Sequence, residues 1–339
     1  MRTAAASKRA PTVSVVMPLY NKADYVEAAV RSVLEQTFTD FELVVIDDGS
    51  TDGSAAVVQG MTDPRIHLLA QGNAGAAAAR NAGIAAARGR WVAFLDADDT
   101  WRPEKLARQL AVLEREPDLV WAAGAYVRTG PGPVALEQKI SDRAWLVRPE
   151  VLKDGLLALA DASCLWIGTV MARRDVVLEL GGFNRALTIG EDVLLWARLA
   201  VQHPPLAYVE TPIADYSYLA AGSLTEGQHR PGSSIPYLAC QILALRRALP
   251  AERAMALWRI AEGQLVQQAK RQILAGYWAA ARATVAEAER LTPSARLRRL
   301  KRLTSLPAWP TVPVCRWGMR LYRRRRLLGS LPTRPASGI

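Results

Sequence analysis

Asp96, Asp98 and Asp99 place three carboxylates within four positions, directly after the unbroken apolar run Trp91–Leu95. Carboxylates crowded this closely repel one another unless a cation or hydrogen-bond donors compensate them. Hard divalent cations such as Mg2+ and Mn2+ prefer oxygen ligands, often one or two carboxylates completed by substrate phosphates. The cluster reads either as an Asp-x-Asp site for a metal and a diphosphate, or as an acidic turn ahead of a helix beginning near Pro103. A second acidic pair, Asp47-Asp48, ends the apolar stretch Glu42–Ile46. A third, Glu191-Asp192, follows the turn Gly181–Gly190 and opens a helix, where a carboxylate is placed to act as general base on an acceptor hydroxyl. The plainer readings are an Asx-turn residue before Gly49 for Asp48 and a dipole-favoured helix-start charge for Asp192.

These carboxylates must be positioned by the elements before them. Val13–Met17, Glu42–Ile46, Ile66–Leu69 and Trp91–Leu95 are short apolar runs, separated by helical periodicity over 21–38, 54–61 and an alanine-rich stretch to Arg88. Such alternation predicts an α/β fold, a right-handed βαβ sheet with parallel order at its centre. Ligands of open α/β sheets bind beyond the carboxyl ends of the strands, where both Asp47-Asp48 and the Asp96 cluster fall. If these two strand ends are neighbours, about 5 Å apart, one nucleotide reaches both. Further on the pattern predicts a helix over 103–116, a strand over 118–126, an irregular stretch over 128–148 and a buried strand over 163–171. A short helix over 173–180, a helix over 191–202 and strands over 206–210 and 212–218 follow. Arg80 and Asn81 lie on the helix before the central strand, where Arg80 either pairs with Asp47 or braces the helix against the sheet; structural support is the preferred reading.

Composition narrows the function classes. Half of the 339 residues are apolar, enough for a substantial core. Cys164, Cys240 and Cys315 share no zinc or disulfide spacing, which fits a reducing, cytoplasmic setting. The polar, basic stretch Met1–Pro11 is not a secretory signal, and no apolar run reaches the roughly 18–20 residues of a membrane span. No Gly-x-Gly-x-x-Gly follows the first strand, and no Gly-x4-Gly-Lys-Ser/Thr occurs, so NAD-type dinucleotide and P-loop sites are unsupported.

Five stretches resemble the family 2 glycosyltransferases of the GT-A fold, a Rossmann-like nucleotide-binding sheet flanked by helices. They are Val13-Ser-Val-Val-Met-Pro-Leu-Tyr-Asn-Lys22, Gln36–Asp52 with its Asp47-Asp48-Gly-Ser-Thr-Asp52, Asn73-Ala-Gly with Ala79-Arg80-Asn81-Ala-Gly83, Phe94-Leu-Asp-Ala-Asp-Asp99, and Gly181-Gly-Phe-Asn184 with Glu191-Asp192. The resemblance covers about residues 12–225. It implies an inverting, single-displacement transfer of a sugar from a nucleotide-sugar, typically UDP-linked, to a hydroxyl of a glycan or lipid-linked acceptor in cell-surface polysaccharide synthesis. Carried onto this chain, it places Pro18 and Tyr20 beside the nucleotide, and Asp48 on the nucleobase. Asp96 and Asp98 fall at the nucleotide-sugar, Asp98 and Asp99 at Mn2+ or Mg2+, and Asp192 is the catalytic base. Two patterns of relatives are missing. Tyr216-Ser-Tyr-Leu219 stands where relatives often carry Tyr-Arg-x-His, and the Gln-x-x-Arg-Trp signature of processive cellulose, chitin and hyaluronan synthases does not occur. A non-processive enzyme is expected. A GT-A-like protein that binds nucleotide-sugar without turnover is the alternative, against which Asp192 and the Asp-x-Asp group both argue.

The expected organisation is a nucleotide-sugar-binding half over 12–105, an acceptor-binding half over 106–232, a C-terminal helical extension over 233–291, and a basic tail containing Pro and Trp over 292–339. Of the 43 basic side chains thirteen lie in 290–339, which holds no acidic residue; residues 1–289 therefore carry 30 basic and 32 acidic side chains, a net of −2. The positive excess belongs to the tail, and it points to an anionic partner. Arg316, Arg320 and Arg323 interleaved with Trp317, Met319, Leu321 and Tyr322 suit an interfacial helix on an anionic membrane better than a nucleic-acid contact. The expected location is peripheral, at the inner face of the cell membrane.

Overall fold

The computed structural model describes residues 9–129, 136–140, 145–160, 165–217, 234–247 and 249–305. Its first half alternates strand and helix: β1 (Val13–Leu19), α1 (Val26–Leu34), β2 (Phe41–Asp47), α2 (Ser54–Gln59), β3 (Ile66–Ala70), α3 (Ala76–Ala86) and β4 (Trp91–Phe94). These four strands are parallel, in the spatial order β3-β2-β1-β4. Every residue of β2 and β4 is buried, as a strand covered by helices on both faces must be. Alternate side chains go to opposite faces. Val16, Val92 and Phe94 join one core; Val15, Ala93 and Leu95 join the other.

The second half continues with β5 (Thr100–Trp101), α4 (Lys105–Arg115), β6 (Trp121–Gly124), β7 (Tyr126–Thr129), β8 (Leu136–Gln138), β9 (Leu146–Arg148), β10 (Val151–Leu152) and α5 (Gly155–Ala160). Then come β11 (Met171–Arg173), α6 (Arg174–Glu179), α7 (Glu191–Gln202), β12 (Leu206–Val209) and β13 (Ala214–Ser217). The large sheet extends as β4-β11-β6-β12-β10-β9, and β11 runs antiparallel to both β4 and β6. A second sheet, β5-β13-β7-β8, stands beside the Asp96 turn.

Three local expectations are corrected here. The strand foreseen over 118–126 breaks at Ala125, whose amide donates to Val209 O at the end of β12 and whose carbonyl accepts the Ile213 amide ahead of β13, so that β6 stays in the large sheet and β7 joins the small one. The strand foreseen over 163–171 is replaced, within its described part, by a 3-10 turn at Ile167–Thr169 and the short β11; residues 161–164 lie outside the described residues. The stretch foreseen as irregular over 128–148 contains the end of β7, β8 and β9.

Beyond the second sheet the described residues form helices: α8 (Ile235–Ala244), α9 (Ala251–Ala275), α10 (Trp278–Leu291) and α11 (Ala295–Ser305). Leu257, Ile260, Leu265, Val285 and Leu297 are buried in the same core as Phe94, Phe183 and Trp196, so these helices cover one face of the α/β body. The final helix α11 lies within the stretch assigned to a basic tail. Leu297, Leu300 and Thr304 form its buried stripe, while Arg298, Arg299 and Arg302 are exposed on the opposite side. Among the described residues no helix is long and apolar enough to cross a membrane.

Candidate functional site

The site lies at the carboxyl ends of β1, β2 and β4. Strand β1 separates β2 from β4, so the two acidic groups are not on neighbouring strands; they stand two strand spacings apart, about 10 Å. Pro18 is the sixth residue of β1, paired in register with Ile46 of β2, and Tyr20 just beyond it is 47% exposed.

The two β2 carboxylates divide their work. Asp47 Oδ1 accepts from the Ser50 amide at 3.0 Å, which makes Asp47, not Asp48, the residue of the Asx turn. Asp48 is buried and gathers the loop after β3: Oδ1 accepts from Gln71 Nε2 at 2.7 Å and the Ala74 amide at 2.9 Å, and Oδ2 accepts from the Gly75 amide at 2.8 Å.

At the end of β4 each of the three aspartates has a different partner. Asp96 Oδ1 accepts from Arg80 at 2.6 Å. Asp98 Oδ2 receives Lys22 Nζ at 2.7 Å; Lys22 itself is buried, held by a 2.7 Å bond from its amide to Ser54 Oγ. Asp99 is 1% exposed; its Oδ1 accepts from the Ser217 amide of β13 at 2.7 Å, whereas its Oδ2 is buried without a hydrogen-bond partner. Burial and the neighbouring carboxylates push the Asp98 carboxyl up and the Asp99 carboxyl well up, with Lys22 opposing both. This is an arrangement short of positive charge. Among the described residues no group of three His, Cys, Asp or Glu side chains is arranged to hold an ion on its own. Asp98 with the orphaned Asp99 Oδ2 supplies two carboxylates, a donor set that suits Mg2+ or Mn2+ completed by diphosphate oxygens.

The turn is braced from beneath. Trp101 Nε1 donates to Gly168 O at 2.7 Å, its amide donates to Ser32 Oγ, and Gln36 Nε2 donates to Arg102 O at 2.8 Å. Lys105 is fully buried, donates to Gln109 Oε1 at 2.7 Å and lies 4.0 Å from the Trp101 ring centroid; burial pushes its amine well down. Arg102 forks onto both oxygens of Asp215 and ties the start of α4 to β13.

At the Glu191-Asp192 pair, helix α7 begins at Glu191 after Gly190, whose φ of +77° favours glycine. Asp192 is half-buried, its Oδ1 accepting from the Val193 amide at 2.8 Å. Burial first, then the Glu191 charge, pushes its carboxyl up to about 7; Arg80 opposes them. A general base works best with a pKa near the operating pH. The Gly181-Gly182-Phe183 turn is clasped by Asn81, which donates from Nδ2 to Phe183 O and accepts the Phe183 amide at Oδ1, both at 2.8 Å. The Phe183 ring packs edge-on to Phe94 with centroids 5.3 Å apart.

Arg80 makes no pair with Asp47: its two terminal nitrogens bind Asp96 and Glu191, each at 2.6 Å. Lys22 and the Ser217 amide had no role in the sequence reading. A lone lysine just past the first strand end was the signal for Lys22, whereas a backbone amide leaves no signal at all.

Parallel strands β1, β2 and β4, an antiparallel β11 crossing between the halves, and carboxylates gathered at the strand ends define a GT-A nucleotide-sugar fold. TarS 1-349 of S. aureus, solved with UDP-GlcNAc, superposes with a TM-score of 0.62 at 17% identity over 86% of this chain and 90% of that one. The mannosyltransferase PcManGT of Pyrobaculum calidifontis, solved with GDP-Man and Mn2+, gives 0.53 at 21% identity over 88% and 85%. In sequence, residues 14–181 match the glycosyl transferase family 2. TuaG of Bacillus subtilis (strain 168), named for teichuronic acid biosynthesis, is 48% identical over 192 residues, which cover 56% of this chain and 72% of TuaG. The E. coli UDP-Glc:alpha-D-GlcNAc-diphosphoundecaprenol beta-1,3-glucosyltransferase WfgD is 44% identical over 102 residues, 30% of this chain and 40% of WfgD. The chain belongs to glycosyl transferase family 2 and is a glycosyltransferase.

Proposed function

We propose that the protein transfers one sugar per encounter, with inversion, from a UDP-sugar to a hydroxyl of a lipid-linked glycan acceptor in cell-surface polysaccharide synthesis. The observation that carries this reading is Asp192, a half-buried carboxylate raised to about 7 at the start of α7, within electrostatic range of Asp96 at the donor-side turn. Asp48 orders the 71–75 loop beside the nucleobase position, and Tyr20 offers an exposed ring at the end of β1. Asp96 and Asp98 meet the nucleotide-sugar. Asp98 and Asp99 are the carboxylates that would hold a divalent cation, which would supply positive charge to the diphosphate leaving group. Lys22 supplies a further positive charge at Asp98. Asp192 takes the proton of the attacking hydroxyl. TarS binds UDP-GlcNAc and WfgD uses UDP-Glc on a diphosphoundecaprenol-linked sugar, which supports UDP and a lipid-linked acceptor. Because such an acceptor lies at a membrane, the exposed arginines of α11 are read as adsorbing to anionic headgroups. The buried stripe of α11 is committed to the protein core, so this contact is electrostatic rather than inserted. Residues 316–323, expected to form an interfacial helix, lie outside the described residues.

The test is turnover of UDP-sugars with polyprenyl-diphosphate-linked sugar acceptors, reading the anomeric configuration of the product. Inverted product, lost by roughly 10² or more in Asp192→Asn while UDP binding persists, is the expected result. A retained configuration, or normal turnover by the variant, overturns the mechanism.

A further inference from the structure

Arg80 is 3% exposed, yet it carries a full charge and is shared between two carboxylates from distant parts of the chain. Its Nη2 binds Asp96 Oδ1 and its Nη1 binds Glu191 Oε1, both at 2.6 Å, over sequence separations of 16 and 111 residues. Its Cζ lies 5.5 Å from the Phe183 ring centroid, and the next residue, Asn81, clasps the backbone of that same phenylalanine. Two consecutive residues of α3 thus hold both ends of the acceptor-side motif: the Gly181–Phe183 turn and the first residue of α7. Its Nε is buried without a partner, so the guanidinium is not optimised as a structural brace alone.

Burying an arginine is costly, and a hydrophobic pair of similar volume would join α3 to α7 at least as stably. What a hydrophobic pair cannot do is set a charge. Asp192 is surrounded by Glu191 on its own helix, Asp96 on the turn after β4, and Arg80 on α3; the two carboxylates raise its pKa and the guanidinium lowers it. We propose that Arg80 is a positioning residue for the transfer: it ties the donor-side turn at Asp96 to the start of α7 at Glu191, and so fixes both the place of the Asp192 carboxylate and the charge that carboxylate sees. The catalytic part rests on the reading of Asp192 as base; the electrostatic part does not.

The test follows the Asp192 side-chain carboxyl directly by carbon-13 NMR, its resonance identified by loss in Asp192→Asn. Wild type, Arg80→Gln and Arg80→Lys are titrated, and circular dichroism with thermal unfolding is measured in each as a check on the fold. In Arg80→Gln the midpoint should rise by about one unit or more, the scale for losing an adjacent opposite charge. In Arg80→Lys, which keeps a charge but cannot fork onto Asp96 and Glu191 together, the midpoint should stay nearer wild type while kcat falls and donor KM changes little. The acid limb of the rate profile should move with the carboxyl midpoint. An unmoved midpoint in a folded Arg80→Gln overturns the electrostatic role. If that variant does not fold, Arg80→Lys decides: wild-type kcat overturns the positioning role, and a lowered kcat with the midpoint held supports it. A carboxyl midpoint that moves while the rate profile does not leaves Arg80 in place and removes Asp192 as the base.

Discussion

Asp192→Asn should make the protein more stable while disabling it, and the gain should depend on pH. Asp192 is raised from 3.8 to about 7 in the folded chain, chiefly by burial and by Glu191. The fold therefore favours the protonated form. Stability contributed by this group is fully present below about pH 4 and is lost as pH rises towards about 7, where the folded protein must carry a penalised charge. Lifting a carboxyl by this much corresponds to about 4 kcal/mol, and water reaching a half-buried side chain reduces it, so about 2–4 kcal/mol is expected. Asparagine keeps an oxygen to accept the Val193 amide, so the helix start survives the substitution. Urea unfolding of wild type and Asp192→Asn, at a pH near 4 and again near 8, measures the difference. Near pH 4 the two curves should coincide within about 1 kcal/mol; near pH 8 the variant should be the more stable by the amount above. A variant equal to or weaker than wild type near pH 8 would refute the argument that Asp192 is held charged against its environment.

The remaining expectations concern the donor end, the sheet and the last helix. Asp98→Ala or Asp99→Ala should sharply weaken Mg2+- or Mn2+-dependent UDP binding in calorimetry, because Asp98 and the orphaned Asp99 Oδ2 are the carboxylates proposed for the cation; metal-independent UDP affinity, unchanged in both, would sink this assignment. Gly83→Val drives a side chain of α3 into Val16 of β1 and should cost about 1–3 kcal/mol in thermal unfolding, whereas the same change at Gly263, inside α9 with open space around it, should be neutral or slightly stabilising, because valine is the better helix former. Changing Arg298, Arg299 and Arg302 together to Gln should weaken sedimentation with anionic vesicles about 100-fold, from about 1 kcal/mol for each basic residue, and leave UDP binding intact. Undiminished vesicle binding would remove α11 from the contact.

The sequence by itself determined the parallel half of the sheet and the residue types gathered at its strand ends. Buried parallel strands read as unbroken apolar runs, and Trp91–Leu95 halting at Asp96 marks a strand end of the kind where open α/β sheets take their ligands. It also located the carboxylate proposed as the base, because Gly181-Gly-Phe-Asn184 and Glu191-Asp192 lie close together in the chain. Tertiary structure decided what contiguity cannot carry. The insertion of β1 between β2 and β4 set the separation of the two acidic groups. The break at Ala125, where β6 gives way to β7, follows from backbone bonds to Val209 and Ile213 more than eighty residues away. Lys22 on Asp98, the Ser217 amide on Asp99 and Arg80 between Asp96 and Glu191 are long-range pairings, and a residue's type states which charges it will accept without stating which one the fold brings to it. Local patterns fix elements because neighbours in sequence are neighbours on a strand or helix face; the balance of charge at a buried site is a sum over residues that meet only when the chain has folded.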